Sequence, residues 1–310
     1  MLEQLRADEP SRSRHQYFFC HDYLPISQAS WGFHVALNTP APAANTNAHL
    51  RLMRWVWLVA AMLILTGVWL HLSPFNALAM LDVHQRDMGP DAFWSFATQF
   101  GDAGAAFLLL LVVGRFAPSG ASMAFKCLLL GSVMSRLFKT LIASPRPLGV
   151  LDPSLLHAIG DPPSAANSMP SGHAMTVAAM VGLCLFMFPK LAGRPLLWLP
   201  LVLFGVLVAM SRVVVGAHWP ADVLVGVGLG LAVAWLAWQW DQLRNWTPRL
   251  NSVPGQFLLI LIELGLAIAL FASQTDTAAA RLAFDVIATV GMAGAMARYA
   301  NLRRQQAGKA

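Results

Sequence analysis

The chain has 310 residues, of which 57% are hydrophobic and only 12% charged, with Lys plus Arg 21 against Asp plus Glu 15 and a formal net charge of +6. A soluble domain carries about 25% charged residues, so at a mean hydropathy of +0.56 an ordinary soluble enzyme, a disordered chain and a secreted disulfide scaffold are all poor fits. The 11 Trp and 23 Gly suit a helical membrane protein, and Cys20, Cys127 and Cys184 have neither metal-ligand nor redox spacing.

Residues 1–52 mix charge, His, Pro and Ala without a sustained period and read as a cytoplasmic tail, with a short surface helix near Phe18 to Tyr23. No basic residue followed by an apolar core and a cleavage site opens the chain, so no cleaved signal peptide is expected. Eight apolar segments follow, at roughly 55–72, 103–118, 122–142, 173–188, 196–214, 221–240, 256–272 and 282–299. Several approach the short limit for a hydrocarbon core of about 30 Å. With the amino terminus inside, 15 of the 21 Lys and Arg residues, Lys126 and Arg298 among them, fall on the cytoplasmic side or its boundary. That positive-inside bias puts both termini in the cytoplasm if all eight segments span. It also removes the nucleic-acid reading, because no basic stripe with interleaved aromatics occurs.

The cations expected outside gather in three segments: Lys139 to Arg146-Pro147, Pro170-Ser171-Gly172-His173, and Ser211-Arg212 through His218 to Asp222. Lys139 closes one helix, and Pro145 and Pro147 impose an extended path that aims Arg146 back toward it. Ser171 and Gly172 precede an apolar helix, whose amino terminus and free amides make a phosphate cradle. Arg212 closes another helix, and His218 and Asp222, four apart, share a face where the next begins. Three cations and a helix amino terminus fit a phosphoryl group. Two imidazoles then divide the work of attack and proton donation, with Asp222 orienting His218. A hard-metal site needs several carboxylates and only Asp222 is near, so neither metal nor cofactor is expected. Taken singly, each segment has a bland reading: a helix cap with a buried histidine, an interfacial anchor, or a structural polar network.

Together the segments resemble the type 2 phosphatidic acid phosphatase (PAP2) family of membrane lipid phosphatases, whose pattern is Lys, six residues, Arg-Pro; Pro-Ser-Gly-His; and Ser-Arg, five residues, His, three residues, Asp. Asp91-Ala-Phe-Trp94 through Gly101-Asp102 also looks like the family's segment before its second helix. The resemblance implies phosphate binding by Lys139, Arg146, Arg212, Ser171 and Gly172, leaving-group protonation by His173, a phosphohistidine on His218, and orientation of His218 by Asp222. It further implies an all-α, polytopic membrane protein with a six-helix catalytic core at 53–241 and an extracytoplasmic site. Residues 242–310, with two additional hydrophobic helices, lie beyond that core.

The expected activity is metal-independent hydrolysis of a lipid phosphomonoester or pyrophosphate in a bacterial inner membrane, with polyprenyl pyrophosphate as the leading substrate. The partners expected are a phosphorylated membrane lipid and the bilayer, with no nucleic acid and the oligomeric state open. The alternatives are phosphatidylglycerol phosphate, phosphatidic acid or lipid A phosphatase, a lipid phosphotransferase, and a non-enzymatic transporter. Arg146-Pro147 continues as Leu148-Gly149 where many relatives have another basic residue and proline. Elsewhere, Gly226, Gly228 and Gly230 read as close helix-approach positions. Glu263 and Asp285 read as acids in mutual or backbone contact, and His157 and Asp161 lie in a loop, Ser144 to Gly172, that caps the site or runs over the surface.

Overall fold

In this computed structural model residues 43–162, 167–188 and 194–308 are described. Most of the expected amino-terminal tail, with the helix near Phe18 to Tyr23, lies outside the described residues. The described residues form helices and no strand: α1 (Ala43–His71), α2 (Phe75–Gln85), α3 (Asp91–Thr98), α4 (Ala103–Gly114), α5 (Gly120–Ile142), α6 (Gly172–Met187), α7 (Pro195–Val214), α8 (Pro220–Leu243), α9 (Thr247–Leu250), α10 (Val253–Ala272) and α11 (Ala278–Ala307). Helix α1 therefore begins well ahead of residue 55. Among the described residues six helices are long and apolar enough to cross a membrane, or seven if the bent pair Asp91–Gly101 and Ala103–Gly114 makes one span.

Two of the eight expected segments form helices that fall short of membrane length on their own. The segment expected at 103–118 is the twelve-residue α4, joined to α3 through a 67° bend. Asp102 causes the bend. Its backbone is extended and its carboxylate accepts from the Ala105 amide at 2.9 Å, so one helix stops and a new one is capped at the same residue. The segment expected at 173–188 is the 16-residue α6, only about 24 Å long at about 1.5 Å per residue. From Ala174 to Met187 almost every side chain of α6 is buried, which is why the helix is apolar all round. It is solvated by its neighbours α4, α5, α7 and α8, so its length need not match the bilayer.

Glycine lets α6 and α8 approach this closely. A Cβ at Gly226 would stand 2.6 Å from the Ser171 carbonyl oxygen, and one at Gly230 would stand 2.2 Å from that of Met175. Gly228 does the same against α1, 2.7 Å from the Ala60 carbonyl. The expectation for these three glycines holds.

Buried ion pairs fasten the helices. Lys126 and Asp241 pair with both side chains essentially inaccessible, and Lys126 also donates to the Ser122 hydroxyl and the Arg244 carbonyl, both at 2.8 Å. Glu263 and Asp285 do not contact each other; each takes an arginine. Arg298 donates from Nη2 to Glu263 at 2.7 Å and from Nε to both its oxygens at 3.2 Å, and reaches Gln256 at 3.2 Å and the Leu111 carbonyl at 3.3 Å. Arg281 pairs with Asp285 at 2.7 Å. An unpaired carboxylate in an apolar interior is costly, so Glu263 takes an arginine from 35 residues away, whereas the part-exposed Asp285 pairs within its own helix, one turn from Arg281. Lys126 and Arg298 are thus packing residues.

Candidate active site

The corner between α7 and α8 explains the Arg212-to-Asp222 spacing. Gly216 takes φ +81°, a conformation open to glycine. The chain then doubles back, so that the Ala217 and His218 amides both donate to the Arg212 carbonyl, at 3.2 and 3.1 Å. Pro220 sits at the start of α8 with its fixed φ. Asp222, at the third helical position, accepts from the Trp219 amide at 3.0 Å. A helix end and a helix start thereby hold Arg212, His218 and Asp222 together.

His218 is 2% exposed and Asp222 inaccessible. The imidazole Nδ1 lies 3.4 Å from Asp222 Oδ2 and 3.3 Å from the Ser168 hydroxyl, which itself donates to the same carboxylate oxygen at 2.5 Å. On the other side Nε2 faces Arg146 Nη1 at 3.4 Å. A guanidinium only donates. The tautomer inferred from this pattern therefore carries its proton on Nδ1, toward Asp222, and its lone pair on Nε2. Burial, reinforced by the charges of Arg212, Arg146 and Lys139 and by His173, holds the His218 imidazole well below its ordinary range, and so neutral at neutral pH.

Arg146 leaves α5 as the sequence requires. Ala143 ends the helix in the left-handed region at φ 47°, and Arg146 is extended between its two prolines. Its Nη1 donates to the Ala217 carbonyl at 2.8 Å, and Trp219 donates to the Pro145 carbonyl at 2.8 Å, tying the segment to the corner. Arg212, 8% exposed, donates from Nη1 to the Thr98 hydroxyl at 2.5 Å. The Nε groups of Arg146 and Arg212 and Oδ1 of Asp222 are buried and have no hydrogen-bond partner. Buried donors are nearly always paired, so two open guanidinium N–H groups beside one imidazole mark a place prepared for an anion.

Lys139 and the start of α6 complete the ring. A Cβ on Gly172 would stand 3.9 Å from Lys139 Nζ, and the Gly172 amide, in the first turn, has no partner inside its helix. Of the two amides in the expected cradle, that of Ser171 donates to the Asp222 carbonyl at 3.0 Å, while its hydroxyl caps α6 by accepting from Ala174 at 3.5 Å. Ser171 thus holds α6 against α8 and leaves the free amide to Gly172. His173 enters in that first turn. It fits because Gly101 has no side chain, since a Cβ there would stand 2.7 Å from that of His173.

All eight expected residues meet at one place. Sequence reasoning named neither Ser168 nor Thr98, which lie 54 and 114 residues from their partners. Thr98 and Gly101 both fall inside the 91–102 segment already singled out, and Ser168 inside the Ser144 to Gly172 loop. Of the loop residues, His157 is bound at 2.8 Å to Asp91, both exposed, while Asp161 lines a polar cavity that also reaches Arg212.

An apolar cavity of about 280 Å³ opens at His173 between α4, α5 and α6, lined by Ala106, Phe107, Leu110, Leu128 and Met175. Along α5 it extends from Arg136 to Ala124, roughly 18 Å at about 1.5 Å per residue. Among the described residues no group of three or more His, Cys, Asp or Glu side chains is placed to hold a metal ion.

Residues 120–246 match the family model described as the PAP2 superfamily. Over 131 residues the chain is 32% identical to an undecaprenyl-diphosphatase of Sulfolobus acidocaldarius, an alignment covering 42% of this chain and 59% of that protein. Over 74 residues it is 35% identical to a lipid A 1-phosphatase of Rhizobium johnstonii, covering 24% and 27%. The chain thus spans less than two thirds of the length of the curated relatives it matches. The crystal structure of Aquifex aeolicus LpxE is similar at 21% identity and a TM-score of 0.47, covering 54% of this chain and 96% of that one.

Proposed function

We propose that this chain, whose residues 120–246 match the PAP2 superfamily model, is an integral-membrane phosphatase that removes a phosphoryl group from a membrane lipid. The observation that carries the reading is the pair of buried, partnerless Nε–H groups of Arg146 and Arg212, two cations whose charge acts on a neutral, oriented His218. Preorganised donors of this kind stabilise the charge that develops on a transferring phosphoryl group.

In this reading Nε2 of His218 attacks phosphorus, while Asp222 and Ser168 hold Nδ1 and stabilise the imidazolium that forms. The bond from phosphorus to the lipid oxygen breaks, and His173, entering the step as the imidazolium that the bound phosphate's charge favours, gives that oxygen its proton. Water, deprotonated by the now neutral His173, then cleaves the phosphorus–nitrogen bond, releasing phosphate and returning His218 to the neutral imidazole and His173 to the imidazolium. The apolar cavity at His173 supports a leaving group that carries a hydrocarbon chain. The positive-inside bias supports a site on the extracytoplasmic face, where water and phosphate exchange freely. A bacterial inner membrane, a catalytic core at 53–241 and an appended 242–310 segment belong to the same proposal.

The named relatives include both a diphosphatase and 1-phosphatases. The substrate proposed is accordingly a lipid phosphate in general, with phosphomonoesters such as phosphatidylglycerol phosphate, phosphatidic acid or lipid A standing ahead of polyprenyl pyrophosphate alone. Phosphate release by the purified protein from each of these lipids, beside His218→Ala, tests the reading. Release by the parent and a loss of at least about 10³-fold in the variant is expected; equal release by both contradicts it.

A further inference from the structure

The turn joining α10 to α11 lies outside the 120–246 segment, yet it is fixed more firmly than its exposure requires. Arg281 clamps its base, donating to the carbonyls of Leu270 and Ser273 at 2.7 Å and of Phe271 at 3.1 Å. Thr277 caps α11 by accepting from Ala280 at 3.0 Å, and its hydroxyl shares a 2.5 Å hydrogen bond with Ser95 of α3. Asp276 accepts from the Asp161 amide at 3.4 Å. Gly291 and Gly294 let α11 lie against α4, since Cβ atoms there would fall 2.4 Å from Leu108 and 2.6 Å from Val112. A turn ordered in advance loses little further freedom when it meets a ligand.

This turn closes a cavity of about 170 Å³ together with α3, the end of α7 and residues 159–162. Arg212 and Thr98 are buried in its lining, and Asp161, Gln274 and Asp276 stand exposed at its rim. Ile159, Val215 and Phe284 give it an apolar wall. Arg212 links the cavity to the phosphoryl site, because one side of its guanidinium is held by Thr98 while its Nε is without a partner. Whole-ligand pockets run to about 300–1,000 Å³, so this space suits one unit of a headgroup. Two carboxylates at the rim oppose a second phosphate there, yet they accept strong hydrogen bonds from hydroxyls. Gln274 and Thr275 add neutral polar groups, and the apolar wall matches the C–H face of a ring.

We propose that the Gln274–Asp276 turn and the Arg212 cavity form a headgroup subsite for a neutral sugar ring attached to the scissile phosphate. The α10–α11 hairpin is then the part of the chain that selects the substrate. The proposal rests on the phosphatase reading above, and its test separates the two.

The full-length purified protein is assayed for phosphate release from a diacylated glucosamine 1-phosphate and from hexadecyl phosphate, beside the double variant Gln274→Ala, Thr275→Ala. The parent is expected to show a KM at least about tenfold lower for the sugar phosphate. The variant is expected to raise that KM about five- to tenfold, as loss of one or two hydrogen bonds would, with kcat unchanged and hexadecyl phosphate unaffected. Retained turnover of hexadecyl phosphate shows that the variant is folded. Equal KM values in the parent, or equal losses on both substrates in the variant, overturn the subsite and leave the phosphatase reading standing. Failure of the parent to release phosphate from either lipid overturns both.

Discussion

Arg146 and Arg212, in the segment that matches the PAP2 model, are packed beside His218 with Nε groups that have no partner. Arg281 and Arg298, in the carboxy-terminal hairpin, are engaged almost throughout: Arg281 by Asp285 and three carbonyls, Arg298 by Glu263, Gln256 and the Leu111 carbonyl. The same side chain therefore has two opposite states in one membrane-embedded fold. A saturated arginine fastens helices, whereas one with donors left open has hydrogen bonds to give, which in the reading proposed here go to the phosphoryl group. Burial does not separate the two, since Arg212 and Arg298 are both 8% exposed; the state of the hydrogen bonds does.

Substitution sharpens that contrast. Arg212→Lys keeps a positive charge but removes the planar fork, and is expected to lower kcat by about 10²–10³-fold while leaving thermal stability in detergent nearly unchanged. An equal loss of stability and activity would place Arg212 with the fasteners. Arg298→Ala is expected to do the reverse. It leaves Glu263 buried without its cation, destabilising the protein by about 3–5 kcal/mol, with kcat per folded molecule retained. The double replacement Glu263→Leu, Arg298→Met is expected to regain most of that stability, because two apolar groups need no partner. A double variant no more stable than Arg298→Ala would assign the hairpin ion pair some other task.

The smallest expected effect concerns protonation. Because the folded protein holds His218 below its ordinary value of about 6.5, the unfolded chain takes up this proton first as the pH falls. The stabilisation that comes from keeping His218 neutral is present above about pH 6.5 and is lost as the pH drops toward the folded value. Histidine-selective ¹⁵N NMR, read as the difference between the parent and His218→Ala, is expected to show His218 mostly neutral at pH 6.5. Half-titration at or above that pH would mean that its cationic neighbours do not act on it.

The ring around His218 was legible in the sequence because each of its members is fixed by local backbone rules. Glycine at 216 turns the chain back over α7, proline at 220 starts α8, and the two prolines flanking Arg146 keep it extended. Such devices act within a few residues and leave marks in spacing. What supports the ring is not local. Ser168 and Thr98 reach their partners only after the helices have packed, and no period in the sequence records which hydroxyl will face which charge. The same limit explains Glu263, whose depth was evident while its partner Arg298, 35 residues away, was not. It also explains α6, whose shortness shows in the sequence but acquires meaning only from the helices that surround it.

Transfer of a phosphoryl group from lipid to protein tests the role of His218 most directly. The purified parent is mixed with a ³²P-labelled lipid phosphate in a single turnover and quenched in alkali, where a phosphohistidine survives, and the label is mapped by peptide. Label on the peptide that carries His218, and none in His218→Ala, is the expected result. Label on another residue, label undiminished in the variant, or a parent that turns over without labelling would contradict the assignment of His218 as the nucleophile.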